Sequence, residues 1–492
     1  MNRRRSGTRR PLPAPRAVID IGSNTVRLVI YEGTARASET VWNEKVAARL
    51  GRDLSDSGRI PREAWDEALA ALARYAQIIA DHGIKDVQTV ATAATRDAEN
   101  GPDFLAAVAA LGLAPRQLTG EEEANASAMG ALGAFPGAHG VVADLGGGSL
   151  ELVSIHANRC HHASSLPFGT LRLPAMRAAG DFDEHIHAAL GEVGWAAAHR
   201  GPLYMIGGTW RALAAYAMRA QDYPLTDPHG FVLSLEDADR MAAELVDARP
   251  EALMQIGGID AMRAGYLPDA AALLRPLLAE FEPEALVFSS WGIREGLLYA
   301  RLEPMQQQRD PLLAGISAFA APQGANATDA TLVSAWTADL VERAKPGDER
   351  KRIAAAQLAA ALHKVEPNLR LNQAVEWSLD KRWIDLSPRG RAMICAALVG
   401  TLGQTELPGR VRLLASEEDL HQGTTWGLGL RLAQRLGAGT RQALSHSALK
   451  RGKRRLTLRL DQSRAALAAG PVARELAMLA DWLGLEARVK LG

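Results

Sequence analysis

The stretch Asp20-Ile-Gly22-Ser-Asn-Thr25-Val-Arg-Leu28-Val29 returns, 124 residues later, as Asp144-Leu-Gly146-Gly-Gly-Ser149-Leu-Glu-Leu152-Val153. Aspartate, glycine, hydroxyl, leucine and valine recur in register. A single Asp-x-Gly is uninformative, but the same one twice, each within a strand-turn-strand pattern, marks an internal duplication. The pattern predicts two similar α/β halves, each opening with a hairpin, their turns facing across a cleft. Glycines in these turns permit positive φ and leave backbone N–H groups uncovered, so each loop can wrap an anion. Ser23, Asn24 and Thr25 in one turn, and Gly146, Gly147, Gly148 and Ser149 in the other, form clamps suited to neighbouring phosphates. Asp20 and Asp144 end their strands where they can hold Mg²⁺ or its waters, an ion that needs few carboxylates. Glu151 lies two residues beyond Ser149 and shares its face of the strand.

Working outward, residues 17–22 and 26–31 read as the strands of the first hairpin. A helix starting near Pro61 carries Trp65, Leu69, Leu72, Ala76 and Ile79 on one face and stops at Gly83. Residues 87–92 read as a strand, 102–111 and 121–134 as helices. Such alternation predicts α/β halves with largely parallel sheets. We expect a first half over 17–134, a second over 135–303, a connection rich in Gln, Pro and Gly over 304–330, and a mainly helical domain with a basic, strand-containing end over 331–492. Residues 1–16 hold six arginines and three prolines with no apolar core behind them, which reads as a disordered basic tail on a cytoplasmic protein.

The 492 residues include 56 Lys plus Arg and 56 Asp plus Glu, a formal net charge of zero. That argues against a surface built throughout for nucleic acid or anionic lipid. No apolar run approaches the ~18 residues that span a bilayer. Two cysteines, Cys160 and Cys395, make neither a disulfide framework nor a four-ligand zinc site. His156, Cys160, His161 and His162 alternate across a strand, so no metal site is expected there.

Two further segments carry chemistry. Gly207-Gly208-Thr209 turns a strand into a helix N-terminus, which is an anion site through free amides and the helix dipole. Thr119-Gly-Glu-Glu122 is a capping box that gives Glu122 a structural task. Glu123, one position round the helix, is then the better general base. Arg96 follows the strand at 87–92; its fork suits a phosphate oxygen, and pairing with Asp97 or Glu99 is the other reading.

These motifs, with Ala91-Thr-Ala-Ala-Thr-Arg96, Thr119-Gly-Glu-Glu-Glu-Ala124 and Ser289-Ser-Trp-Gly-Ile-Arg-Glu-Gly296, resemble the exopolyphosphatase/guanosine pentaphosphate phosphatase family of the actin–hexokinase–Hsp70 superfamily, over about residues 17 to 300. The resemblance implies two tandem ribonuclease-H-like (actin-like ATPase) halves around a cleft. It implies Mg²⁺-dependent hydrolysis of a terminal phosphoanhydride, with Glu123 at the family's position for the residue that activates water. In that scheme Glu123, Asp144, Glu151 and Arg96 are catalytic, and Asp20, Asp144 and Glu151 arrange the metal. Ser23, Asn24, Thr25, Gly146, Gly147, Gly148, Ser149, Gly208 and Thr209 hold phosphates. The substrate is inorganic polyphosphate, with guanosine pentaphosphate or alarmone sensing without turnover as alternatives, and a homodimer is expected by analogy. Family members often continue into a helical domain resembling HD phosphohydrolases. Here Leu362-His363-Lys364 stands where His-Asp is needed, so the expectation is a degenerate domain without metal. The basic run Lys450-Arg-Gly-Lys-Arg-Arg455 reads as a solvated face or as a track for a long polyanion.

Overall fold

A computed structural model describes residues 14–195, 198–341, 345–438 and 440–492. The expected tail lies outside the described residues up to residue 13, and Arg16 already belongs to the first strand. Two compact units meet between Arg309 and Asp310.

In the first unit, β1 (Arg16–Ile21), β2 (Val26–Thr34), β3 (Ala37–Val46), β4 (Asp86–Ala91) and β5 (Pro115–Gln117) form a sheet ordered β3-β2-β1-β4-β5. A second sheet holds β6 (Gly140–Leu145), β7 (Leu150–His156), β8 (Arg159–Leu166), β9 (Leu203–Ile206), β10 (Val232–Leu233) and β11 (Leu286–Ser289), ordered β10-β11-β9-β6-β7-β8. Without the short β10, the second order repeats the first, so the duplication is architectural. The sheets are mixed rather than largely parallel. Each opens with an antiparallel three-strand meander and adds parallel strands beside it, because a tight turn can join only antiparallel neighbours.

The helix Arg62–Asp81 seats Ala64, Ala68, Leu72, Tyr75 and Ile79 against Ile19, Ile21 and Leu28 of the first sheet, with Trp65 and Leu69 on its flank. In the second half Trp210 and Leu213 of the helix Gly208–Ala220, and Leu267 and Leu274 of the helix Ala261–Phe281, cover Leu145, Leu150 and Leu152. Each of these leucines and isoleucines contributes about 1.5–3 kcal/mol on burial, which anchors the sheet ends that bear the turns. Two central helices, Gly120–Ala134 and Ile293–Ala300, touch backbone to backbone. A Cβ on Gly296 would lie 1.7 Å from the Ala126 carbonyl oxygen, and one on Gly130 would lie 2.4 Å from that of Gly292.

Residues 304–330 are mostly helical, not an open connection: Pro304–Gln307, Pro311–Ala320 and the start of Ala327–Trp336. Pro304 and Pro311 sit in first turns, where proline favours a helix. In the second unit, helices Asp348–Leu362, Pro388–Thr401 and Glu417–Gly437 share a core of Ala355, Leu358, Met393, Leu398 and Trp426. His363 follows the first of these, half-buried. The basic run links β12 (Ser447–Arg451) to β13 (Arg455–Leu460), which pairs with β14 (Glu486–Leu491). Lys450 pairs with Asp339 at 3.0 Å and Arg455 with Glu486 at 3.0 Å, while Arg459, Arg488 and Lys490 are exposed. Among the described residues no helix is long and apolar enough to cross a membrane.

Candidate active site

The two turns are built alike. Gly22 N–H donates to the Thr25 carbonyl at 3.0 Å, and Gly146 N–H to that of Ser149 at 2.9 Å. They meet in a cleft of about 200 Å³ that also takes in Asp20, Asp144, Glu123, Glu151, Gly208 and Thr209. The glycines are needed for space rather than for positive φ. Gly22, Gly146, Gly147 and Gly148 all lie outside that region, whereas Gly207 at φ 119° is inside it. A Cβ on Gly148 would stand 2.8 Å from Ser23 Oγ, and one on Gly147 3.1 Å from the Asn24 nitrogen. Among the described residues, the amides of Gly147 and Gly148 have no backbone acceptor. The Asn24 side chain is already engaged, donating to Thr170 Oγ1 at 3.1 Å and accepting from Tyr266 at 3.4 Å.

The capping box forms. Thr119 Oγ1 accepts from the Glu122 N–H at 3.1 Å, and the Thr119 N–H donates to Glu122 Oε2 at 2.9 Å. Glu122 is thus held outward, beside Arg116, and Glu123 turns inward with only 12% of its side chain exposed. Burial pushes the Glu123 carboxyl up to about 7, opposed by Arg96. Burial also raises Asp144, which accepts from Ser127, and raises Glu151 well above the carboxylate range, with Glu123 and Asp144 adding to the effect. Ser165 donates to Glu151 at 3.0 Å.

Arg96 does not line the cleft. Its Nη1 donates to the Leu118 carbonyl at 3.1 Å and to Glu123 Oε2 at 3.2 Å, and Asp97 lies 3.6 Å from its Nε. The Asp97 contact is the pairing that the sequence offered as the other reading, and Glu123 is a partner it did not foresee. The cleft's cationic groups are instead Arg27, Lys45, Arg211, Arg263 and Arg294, none of which we singled out from the sequence. Arg294 Nη1 donates to Asp20 Oδ2 at 3.0 Å, while its Nε is buried without an acceptor among the described residues. Burial and the neighbouring arginines pull Arg211 down to about 9, and burial with Arg294 pulls Arg27 to about 10. An anion in the cleft would relieve that strain.

The duplication explains how acid and base are divided. Asp144 stands directly opposite Glu151 in the β6–β7 ladder, and Asp20 directly opposite Arg27 in the β1–β2 ladder. Opposed residues carry Cβ atoms about 4.5–5.5 Å apart, where like charges repel. Either a retained proton or a cation relieves the buried Asp144–Glu151 pair, and its all-oxygen chemistry fits Mg²⁺. Among the described residues no three acids, histidines or cysteines gather at one ligating point, so such an ion would be completed by water and substrate oxygens. Asp20 fits this task less well, since Arg294 already neutralises it.

A model of the Ppx/GppA phosphatase family matches residues 29–304. The chain belongs to the Ppx/GppA phosphatase family. Exopolyphosphatase 1 of Mycobacterium tuberculosis is 25% identical over 301 residues, 58% of this chain and 88% of that protein. Exopolyphosphatase 2 of the same organism is 40% identical over 149 residues, 28% of this chain and 47% of that protein. The crystal structure of the Aquifex aeolicus Ppx/GppA family member superposes with TM-score 0.52 at 25% identity, covering 61% of this chain and 100% of that one. An exopolyphosphatase from Cytophaga hutchinsonii superposes with TM-score 0.53 at 25% identity, covering 60% and 99%. The Ppx/GppA match ends close to the boundary at Arg309 and takes in the candidate site except for the first turn and its flanks, Asp20 to Arg27, which precede it.

Proposed function

We propose that this protein is an exopolyphosphatase, hydrolysing the terminal phosphoanhydride of inorganic polyphosphate to orthophosphate with Mg²⁺. The observation that carries the reading is the juxtaposition, in one cleft, of three buried carboxylates with four arginines. Such a cleft suits a chain of phosphates whose end reaches a general base. The amides of the glycine turns, with Ser23, Thr25, Ser149 and Thr209, hold the terminal phosphoryl group, and Arg27, Arg211, Arg263 and Arg294 hold the phosphates behind it. Glu123 takes a proton from a water aligned with the scissile bond. The water oxygen bonds to phosphorus, the bridging P–O bond breaks, and the shortened chain leaves with the bridging oxygen. Arg96 orients Glu123. Asp144 and Glu151 would hold Mg²⁺, which when bound would supply charge neutralisation at the phosphoryl oxygens. The names of the relatives agree with this substrate.

The test follows orthophosphate from long-chain polyphosphate and from guanosine pentaphosphate in parallel, with Mg²⁺ and with chelator. The reading predicts orthophosphate as the sole small product from the polymer, lost on chelation. Release from the nucleotide alone would reassign the substrate, and tight binding of either without release would make the protein a sensor.

A further inference from the structure

Each Asp-x-Gly aspartate is held by the central helix that closes the opposite half. The helix Gly120–Ala134 follows the first sheet, and its Ser127 hydroxyl donates to Asp144 Oδ2 at the end of β6. The helix Ile293–Ala300 follows the second sheet, and its Arg294 donates to Asp20 Oδ2 at the end of β1. The clamps are reciprocal in place and unequal in charge. The hydroxyl brings no charge to Asp144, whereas the guanidinium brings a positive charge to Asp20.

Ser127 lies one helical turn beyond Glu123, on the same face, and is fully buried at 0% exposure among alanines and glycines. The first residue of this helix, Gly120, packs so tightly on Ser165 that a Cβ would lie 2.8 Å from the serine Cβ, and Ser165 is the donor to Glu151. A single rigid helix therefore carries the base, clamps Asp144 directly and braces the partner of Glu151.

We propose that Ser127 is a positioning residue which fixes Asp144 for a divalent cation. This rests on the exopolyphosphatase reading for the identity of the ion. Groups that orient a metal ligand typically change metal affinity 10–100-fold when removed. Ser127→Ala deletes the donor with little change in volume, and Ser127→Thr keeps it.

The experiment uses the full chain without substrate and reads the Mg²⁺ concentration giving half of the maximal Mg²⁺-induced rise in Tm. The same midpoint is then read in orthophosphate release. We expect Ser127→Ala to raise both midpoints about tenfold or more, Ser127→Thr to restore them, Asp144→Asn to abolish the Tm response, and Asp20→Asn to leave the Tm midpoint within about twofold. A lower Tm for Ser127→Ala with an unchanged Mg²⁺ midpoint would make Ser127 a packing residue and overturn the proposal. So would a larger effect from Asp20→Asn than from Asp144→Asn, or a wild type whose Tm ignores Mg²⁺. A normal Mg²⁺ response without hydrolysis of polyphosphate would sink the exopolyphosphatase reading and leave the clamp standing.

Discussion

At the scale of single residues, chemistry is divided by what stands opposite what. Position 27 of the first repeat is an arginine where the second has Glu151, and that one difference turns an acid–base pair into an acid–acid pair. Both residues are visible when the repeats are aligned, so the asymmetry was legible in the sequence. Arg294, too, sits inside a motif we quoted. Arg211 and Arg263 carried no local signal: each is an ordinary helix arginine that enters the cleft only because its helix starts there. Ser127 is just as silent in an alanine-rich helix. The pairing of Arg96 with Glu123 was not foreseen because the two are 27 positions apart. That contact yields a signed prediction. Arg96 opposes the upward shift of Glu123, so Arg96→Ala raises the base further. Since the base must be ionised to accept a proton, the acid limb of the kcat/KM profile moves to higher pH in the variant. A limb that stays in place when Arg96 is removed would disconnect this arginine from the base. Stability follows the same shift. The folded state keeps the Glu123 proton up to about 7 while an unfolded glutamate loses it near 4.5, so stability falls as pH rises through that window. Glu123→Gln, without Mg²⁺, is accordingly expected to raise Tm at pH 8 and to leave it nearly unchanged at pH 4, by thermal unfolding at each pH.

At the scale of elements, the glycines matter through space. Period and capping signals located the helix bearing Glu123 and its capping box, because these are local. Nothing local told that Gly130 and Gly296 let two helices touch across the molecule, or that the triple glycine of the second turn makes room for the first. Small residues report a close approach without naming the partner. The contact is testable. Gly296→Ala places a methyl 1.7 Å from the Ala126 carbonyl oxygen, so the helices must separate. We expect a loss of about 1–3 kcal/mol or more in urea unfolding, with a fall in kcat, because the displaced helix carries Glu123 and Ser127. Wild-type activity in this variant would show that the helices do not fix the site.

At the scale of the whole molecule, the duplication was legible because it repeats a pattern; the mixed sheets went unread because the strand-helix alternation outweighed the antiparallel pairing that a tight hairpin requires. The helices over 304–330 were obscured by a composition that usually marks loops. The Aquifex aeolicus structure is covered completely by 61% of this chain, and the first unit closes its end with Arg36, whose Nε donates to the carbonyls of Gln307 and Arg309 at 3.0 Å each. Residues 14–309 alone are therefore expected to fold and to release orthophosphate from short polyphosphates. If the exposed Arg459, Arg488 and Lys490 hold a long polymer, the full chain has the lower KM for long substrates, and the gap closes as salt rises; equal KM values at low salt would assign that face to solvation alone. The claim on which all of this depends is that Glu123 activates water in a cleft built to hold phosphates. It is tested most directly by measuring, at pH 8 with Mg²⁺, both orthophosphate release and polyphosphate binding for the wild type and for Glu123→Gln. The account predicts a rate lower by about 10²–10⁴ in the variant with affinity within a few fold; release at the wild-type rate by Glu123→Gln would contradict it.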